Sequence, residues 1–371
     1  MKIGMAGAGL SCSTIARELA DQGHLVEILE RRPHVAGHCH TERDAESQVM
    51  VHVYGPHVFH TDDDEVWEYV NRFMEFKPYV HRVRAVTQGC VFSLPINLLT
   101  INQFFHTTLS PGEAKNFIER LVDRSIDNPK SFEEQAHRLV GRSLYEAFFK
   151  GYTLKQWGIA PVDLPPHLFR RLPVRFDYND NYFDHRHQGM PLEGYTLMVS
   201  RILDHPNIRV HLNTDFEQEM VAVYDHVFYS GSIDEFYGYD NGRLPYRTLD
   251  FEQFYAEGDF QGCAVMNYCE ASVPYTRTTE HQHFAPWEKH ARSVCCREFS
   301  RASESGDMPF YPVHLSCENP RITQYLARAR AEAKVTFVGR LGTYRYLDMD
   351  MTIRAALDVA RAFVARQRSA A

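Results

Sequence analysis

The strongest fold signal lies in residues 1–33, which read MKIGMAGAGLSCSTIARELADQGHLVEILERRP. Ile3 to Ala6 has the pattern of a buried strand, Ser13 to Gln22 that of a helix, and Leu25 to Glu30 that of a second strand. The three segments follow one another with short connections, so together they predict a βαβ unit.

The turn of this unit carries the glycines of a dinucleotide-binding motif. Gly7 and Gly9 allow a tight turn and let an anion approach the start of the helix, while Glu30 can accept hydrogen bonds from ribose hydroxyls. Cys12 replaces the third glycine of the usual motif. That glycine mainly permits close packing of the helix on the sheet, so we expect a slight shift in packing and retained binding. Taken alone, the motif leaves a plain strand-to-helix turn as an alternative.

Composition excludes several classes of protein. The 371 residues are 44% hydrophobic and 24% charged, as in a globular enzyme, and their net charge of -8 disfavours a nucleic-acid partner. No apolar run approaches the roughly 18 residues of a membrane span, so we expect a soluble, cytoplasmic protein without a membrane partner. The eight cysteines lack CxxC spacing, which favours reduced thiols.

Helix and strand signals divide the rest of the chain. The helix-start signals are the polar run Thr61–Asp64, the pair Ser110 and Glu113, and the pair Ser131 and Glu134. Four prolines between residues 161 and 173 predict a long functional loop. Alternating β-branched and aromatic residues predict an antiparallel sheet from about 205 to 300. Its expected strands are Ile208–Leu212, His226–Tyr229, Cys263–Tyr268, Tyr275–His283 and Val294–Phe299. A strand at Thr336–Val338 and a helix at Thr352–Val364 follow.

These signals predict an α/β protein that has a Rossmann-like βαβ domain, an inserted helical domain and an antiparallel β-sheet domain. The βαβ domain is expected to be discontinuous, formed by residues 1–75 and 325–371. Residues 76–175 are assigned to the mainly helical domain with its mobile loop, and residues 176–324 to the sheet domain, both on the substrate side.

Six further segments carry a resemblance to a known family. They are Tyr54–His60 (YGPHVFH), Phe149–Gly158 (FKGYTLKQWG), Arg171–Phe176 (RLPVRF), Asn179–Phe183 (NDNYF), Val273–Arg277 (VPYTR) and Phe337–Asp348 (FVGRLGTYRYLD). In order and spacing they resemble the signature segments of the UDP-galactopyranose mutase family of prokaryotes, over roughly residues 1 to 365. The resemblance implies that the βαβ domain binds FAD and that the reduced form of FAD is required.

The resemblance also implies roles for individual residues. His57 would lie against the isoalloxazine ring, although the residue alone would suggest a buried turn histidine. Arg171 and Arg277 would clamp the substrate diphosphate, where a guanidinium can bond phosphate oxygens in pairs. Without the resemblance, Arg171 would be read as a surface charge. Besides the glycine-loop residues, Gly37, His38 and Arg340 would contact FAD.

Aromatic and polar residues complete the implied substrate site. Phe148, Tyr152 and Trp157 would stack on the uracil and its neighbourhood, although their spacing also suits core packing. The remaining implied substrate contacts are Tyr182, Arg247, Asn267, Tyr311, Tyr346 and Asp348.

The segment Ala36-Gly37-His38-Cys39-His40 departs from the glycine-rich pattern of the family, so flavin affinity or potential is expected to differ. The neighbouring residues His38, Cys39 and His40 are of types that bind metal ions. Adjacent residues rarely point at one ion, and no further cluster supplies four ligands, so no metal site is predicted.

The resemblance implies an isomerase that interconverts UDP-galactopyranose and UDP-galactofuranose through an adduct between the sugar and N5 of reduced flavin. Related mutases of UDP-N-acetylgalactosamine or dTDP-fucose are alternatives, as is an FAD-dependent amine or alcohol oxidoreductase. The expected partners are a UDP-sugar, NAD(P)H or another reductant, and a second copy of the chain in a homodimer.

Overall fold

A computed structural model describes residues 1–171, 174–313 and 319–370, except the side chains of Arg170, Arg171 and Ala370. The strands are β1 (Lys2–Ala6), β2 (Leu25–Glu30), β3 (Thr41–Arg43), β4 (Met50–His52), β5 (Phe59–Thr61), β6 (Phe76–Pro78), β7 (Val83–Thr87), β8 (Cys90–Leu94), β9 (His187–Pro191), β10 (Ile208–Leu212), β11 (His226–Tyr229), β12 (Tyr246–Glu257), β13 (Val265–Tyr268), β14 (Arg277–Glu280), β15 (Arg292–Ala302), β16 (Tyr311–Pro312) and β17 (Val335–Phe337). The α-helices are α1 (Leu10–Asp21), α2 (Asp64–Asn71), α3 (Leu98–Phe105), α4 (Pro111–Leu121), α5 (Phe132–Leu144), α6 (Gly151–Trp157), α7 (Tyr195–Leu203), α8 (Ile233–Phe236), α9 (Pro320–Ala331), α10 (Gly339–Gly342) and α11 (Met349–Ala370). Short 3₁₀ helices lie at Gly37–Cys39, Pro161–Asp163, Pro166–Arg171, Gln218–Val223 and His281–Phe284, and a π-helix at Tyr145–Lys150.

A parallel sheet in the order β10-β2-β1-β11-β17 forms the base of the fold. Strand β1 lies at its centre, where Ile3 and Met5 are fully buried. Helix α1 packs against α11, and its buried residues Ile15 and Leu19 contribute to the core beside β1. The predicted βαβ unit and the Rossmann-like fold class are therefore confirmed.

Cys12 lies inside this unit without disturbing it. Its thiol is completely buried, and the sulfur lies 3.6 Å from the carbonyl oxygen of Ala6 and 3.8 Å from that of Phe228. Burial raises the pKa of this thiol to about 12, so it stays protonated and can act as a weak donor. A thiol at the third-glycine position is thus accommodated between β1 and β11.

A second sheet in the order β16-β12-β15-β14-β13-β7-β8 carries Asn267, Arg277, Glu298 and Tyr311. Its strands pair antiparallel, apart from the parallel pair β13 and β7. The predicted strands near residues 265, 277 and 294 are confirmed there as β13, β14 and β15. The prediction was wrong for β10 and β11, which belong to the parallel sheet, because alternation alone does not reveal the direction of a partner strand.

Helix α3 packs against β8 and helix α6 against β15 of the second sheet. The predicted helix starts at Ser110 and Ser131 are confirmed. Ser110 and Glu113 form the predicted capping box of α4, and Ser131 caps α5 by accepting from the backbone N–H of Glu134. The six-residue π-helix joins α5 to α6 and carries Phe148. The domain boundaries drawn from the sequence remain predictions. The parallel sheet takes two of its strands, β10 and β11, from residues 208–229. None of the described helices combines the length and apolar character required to cross a membrane.

Candidate active site

A cavity of about 1370 Å³ lies where the glycine turn after β1, the second sheet and the α5–α6 segment meet. Its volume exceeds the roughly 300–1,000 Å³ of an ordinary small-molecule pocket, which leaves room for a dinucleotide together with a second ligand. The residues predicted from the sequence that line it are Gly7, Gly9, Glu30, Gly37, His38, His57, Phe148, Tyr152, Trp157, Tyr182, Asn267, Arg277, Tyr311, Arg340, Tyr346 and Asp348.

The glycine turn forms one end of the cavity. Gly7 has a φ of 100°, and a Cβ built on it would lie 2.5 Å from the Ser230 hydroxyl, so only glycine suits this position. The Glu30 carboxylate accepts hydrogen bonds from the backbone N–H groups of Ala8, at 2.8 Å, and Arg32, at 2.9 Å. These bonds fix the carboxylate beside the start of α1, where the helix dipole favours an anion.

His38 and Ala36 give the neighbouring wall an unusual character. The His38 ring stacks on Phe310, with centroids 4.6 Å apart and planes inclined by 7°. Burial, together with nearby cationic side chains, holds the pKa of His38 well below its ordinary value, so the ring is neutral. Ala36 adopts a φ of 77°, a left-handed conformation that is strained for any residue other than glycine.

His57 presents a neutral imidazole to the cavity. Its Nδ1 lies 2.8 Å from the Gly55 carbonyl oxygen, which accepts only if Nδ1 carries the proton. Burial lowers the pKa of His57 to about 4, with a smaller contribution from the charges of Arg340 and Arg277. The other ring nitrogen, Nε2, is therefore a hydrogen-bond acceptor at neutral pH.

Arg277 is oriented by a buried carboxylate on the next strand. Its Nε and Nη2 donate to Oε2 of Glu298 at 2.9 and 2.7 Å, and Glu298 is only 2% exposed. Although burial acts to lower it, the Glu298 charge raises the pKa of Arg277 above the usual value for arginine. Since Glu298 occupies the Nε side of the guanidinium, the Nη1 group remains available to an anion.

Arg340 is held between aromatic rings and backbone carbonyls. Its guanidinium carbon lies 5.1 Å from the Tyr311 ring centre and 4.9 Å from that of Tyr346, and the two tyrosines stack on each other. It also donates to the carbonyl oxygens of Phe310 and Leu347. These contacts fix the Arg340 guanidinium beside the cavity.

The aromatic residues of the α5–α6 segment combine packing and lining roles. Phe148 is 3% exposed and packs edge-on against Phe92, so the core reading and the site reading both apply to it. Tyr152 lines the cavity, and burial raises the pKa of its hydroxyl, which therefore stays protonated. Trp157 ends α6 and faces the same space.

Two predicted residues are placed differently from the rest. Arg247 does not line the cavity; it donates to the Ser300 hydroxyl at 3.1 Å and to the Lys155 carbonyl oxygen at 3.2 Å, which anchors the end of α6 on the second sheet. A direct substrate contact by Arg247 is therefore not supported by the geometry. The Arg171 side chain lies outside the described residues, so its role stays a prediction.

The sequence did not predict Arg32, His81 or Glu298 as site residues. Arg32 lines the cavity, and burial lowers the pKa of its guanidinium. The two arginines directly after Glu30 were the only signal that could have revealed it. His81 and Glu298 gave no local signal, because each depends on neighbours that are distant in the chain.

Several buried polar atoms beside the cavity have no hydrogen-bond partner among the described residues. Within the described part of the chain, no hydrogen bond reaches Nη1 of Arg32, Nε2 of His38 or Oδ1 of Asn267. Unsatisfied buried polar atoms are rare in native proteins, and their concentration at one cavity fits a polar ligand. The glycine turn, the fixed Glu30 and the Arg32 guanidinium match the chemistry of a bound dinucleotide.

One group of side chains has the spacing of metal ligands, namely Asp259, Glu280 and His283. His283 lies 3.1 Å from Asp259 and 3.5 Å from Glu280, and the Glu280 carboxylate already accepts from two backbone N–H groups. Ion pairs and hydrogen bonds within the protein account for this cluster.

Comparisons with known proteins agree with the geometry. The family model for UDP-galactopyranose mutase matches residues 147–346, and that for an NAD(P)-binding Rossmann-like domain matches residues 6–73. A probable UDP-galactopyranose mutase from Klebsiella pneumoniae is 57% identical to this chain, covering 97% of it and 94% of the relative. A dTDP-fucopyranose mutase from Escherichia coli is 49% identical, with 98% of each protein covered.

Solved structures share the fold. The crystal structure of a reduced UDP-galactopyranose mutase superposes with a TM-score of 0.75 at 14% identity, covering 98% of this chain and 94% of that one. An oxidoreductase from Methanosarcina mazei superposes with a TM-score of 0.59 at 11% identity, covering 96% of this chain and 100% of that one. At such identities the likeness concerns the fold alone.

Proposed function

Because the chain belongs to the UDP-galactopyranose mutase family, we propose that it is an FAD-dependent isomerase that interconverts UDP-galactopyranose and UDP-galactofuranose. The observation that carries this proposal is the cavity itself. It joins a dinucleotide-binding turn at Gly7 and Glu30 to an arginine-tyrosine cluster around Arg277. A simple dinucleotide-binding protein would not need that second cluster.

The chain would hold the substrate diphosphate through Arg277. Glu298 fixes the guanidinium, and Tyr152 and Tyr311 line the same cavity. Oriented donors of this kind stabilise the negative charge that develops as a diphosphate departs from the sugar. Burial raises the pKa of Tyr311 to about 12, so its hydroxyl stays protonated and can donate.

The same cavity would hold FAD through the glycine turn. We assign Gly7, Gly9, Glu30 and Arg32 to the dinucleotide part of FAD. To its reacting end, the flavin ring, we assign Gly37, His38, His57 and Arg340. When bound and reduced, FAD supplies a nucleophile for the anomeric carbon of the sugar. The chain contributes position, exclusion of water and neutral donors and acceptors, with His57 accepting through Nε2.

A second candidate substrate is dTDP-linked fucose, because the Escherichia coli relative that is 49% identical carries the name dTDP-fucopyranose mutase. The two sugars differ by local groups, which a small change in pocket shape can distinguish. The reductant, which we propose to be NAD(P)H, and the homodimer remain predictions.

The proposal is tested by redox gating. Protein containing FAD is incubated with UDP-galactose, UDP-N-acetylgalactosamine or dTDP-fucose, before and after reduction with dithionite or NAD(P)H, and furanose product is measured by chromatography. We expect product from one of these sugars only after reduction, without stoichiometric loss of reductant. Equal activity with oxidised FAD, or oxygen-dependent oxidation of the sugar, would contradict the proposal.

A further inference from the structure

His81 is a cavity residue for which the geometry gives a specific task. It lies two residues before the start of β7. Its ring packs among the rings of Tyr79, Tyr182, Phe183 and Phe284. The residue is only 6% exposed, yet it lines the cavity. Its carbonyl oxygen accepts from the backbone N–H of Tyr182 at 2.8 Å, which fixes the position of the residue.

The His81 ring is neutral. Burial, assisted by the charge of Arg277, lowers the pKa of His81 to about 3. A neutral imidazole has one N–H donor and one lone-pair acceptor. His81 therefore cannot contribute a charge to diphosphate binding. It can only donate one hydrogen bond and accept one.

The two ring nitrogens have different surroundings. Nδ1 is fully enclosed and has no hydrogen-bond partner among the described residues. Since the ring lines the cavity and Nδ1 is enclosed, Nε2 is the nitrogen that can face a ligand. A buried N–H without an acceptor is rarer than a buried lone pair without a donor, which favours the proton on Nε2.

The location matches the sugar part of the proposed substrate. The sugar is linked to the diphosphate, which we assign to Arg277, and must reach the FAD end at His57. His81 borders this region, because its ring packs on that of Phe183, which in turn stacks on the ring of His60. His60, Arg277 and Asp348 line the same cavity.

We propose that the Nε2–H of His81 donates a hydrogen bond to an oxygen of the sugar, which makes His81 a residue that determines specificity for the sugar part of the nucleotide sugar. This inference rests on the proposed function. A neutral donor at this place favours a hydroxyl or ring oxygen, and it leaves the nucleotide part of the ligand untouched.

The test compares binding of a nucleotide with binding of its sugar conjugate. His81→Phe keeps an aromatic ring in the cluster and removes the donor. His81→Gln places an amide N–H near the position of Nε2. Dissociation constants for UDP and UDP-galactose are measured by calorimetry on the oxidised, FAD-containing protein; if dTDP-fucose is the sugar turned over, dTDP and dTDP-fucose replace them.

We expect His81→Phe to weaken UDP-galactose binding about tenfold, the order expected when a sugar hydroxyl loses its hydrogen bond, and UDP binding less than twofold. His81→Gln should recover part of the loss. Tyr79→Phe is the matched control, because it alters the same aromatic cluster outside the cavity, and it should leave both constants unchanged. If His81→Phe fails to fold, His81→Leu replaces it.

Equal loss for UDP and UDP-galactose, or wild-type constants in His81→Phe, would overturn the inference and assign the ring to packing. Failure of the proposed function is distinguished separately, because it shows as absence of furanose product from the reduced wild-type protein.

Discussion

Arg277 and Glu298 face each other across β14 and β15 as a buried ion pair. One oxygen of Glu298, Oε1, has no hydrogen-bond partner among the described residues. Removing one member of such a pair leaves an uncompensated buried charge, which costs about 3–5 kcal/mol. The pair therefore links the stability of the second sheet to the group that we assign to the diphosphate.

This coupling predicts different outcomes for single and double substitutions. Arg277→Ala should lower the free energy of unfolding by about 3–5 kcal/mol, and Arg277→Ala with Glu298→Gln should recover most of that loss because the amide is neutral. In both variants kcat/KM with reduced FAD should fall by a factor that corresponds to a loss of roughly 2–5 kcal/mol in transition-state stabilisation. Chemical denaturation and steady-state kinetics measure the two effects. Recovery of kcat/KM in the double variant would show that the diphosphate does not lie at Arg277.

At the scale of elements, α6 is seated on the turn between β13 and β14. A Cβ built on Gly151 would lie 2.3 Å from the carbonyl oxygen of Cys269 and 2.8 Å from the backbone nitrogen of Ala271, so the helix approaches this turn as closely as glycine allows. The Lys155 ammonium donates to the carbonyl oxygens of Tyr268, Val273 and Tyr275. The turn leads directly into Arg277, so the position of α6 and that of the arginine are linked.

Gly151→Ala should therefore disturb both stability and binding. The added methyl group must displace backbone atoms, so we expect a lower unfolding temperature and weaker UDP binding. Gly112→Ala on α4 is the matched control, because its Cβ meets no atom within 4 Å. That change should be neutral or stabilise by about 0.5–1 kcal/mol through helix propensity. Unchanged UDP affinity in a destabilised Gly151→Ala variant would separate the helix position from the ligand.

Elements with local signals were predictable from the sequence. The glycine turn after β1, the caps of α4 and α5 and the strand of Arg277 each depend on residues close together in the chain. The direction of β10 and β11 was mispredicted, because strand pairing depends on distant partners. The same limit hid the pairing of Glu298 with Arg277 and the tethering of α6 by Arg247, whose contacts lie 21 and 92 residues away along the chain.

At the scale of the whole molecule, buried neutral histidines connect the sheets around the cavity. The backbone N–H of His57 donates to Nδ1 of His52, and that of His52 donates to Nδ1 of His281. Burial holds the pKa of His52 well below its ordinary value and lowers the pKa of His57 and His281 to about 4. His81, with a pKa of about 3, behaves in the same way. The rings of His52 and His281 must be neutral for these contacts, because their Nδ1 atoms accept.

These pKa values predict how stability depends on pH. An unfolded histidine has a pKa near 6.5 and binds a proton between about pH 6.5 and 4, whereas the folded protein leaves these rings neutral. The free energy of unfolding should therefore fall as the pH drops through this window, by roughly 1 kcal/mol per pH unit for each such ring.

His283 opposes the trend, because its acidic partner Glu280 raises its pKa in the folded state. Carboxylates with lowered pKa lose their contribution only below about pH 4.3, so denaturation between pH 7 and 5 isolates the histidines. His281→Asn supplies the control, since its amide oxygen can still accept from the N–H of His52 but does not titrate, and the slope should become shallower. A free energy of unfolding that stays constant from pH 7 to 5 would show that these rings are not held neutral by burial.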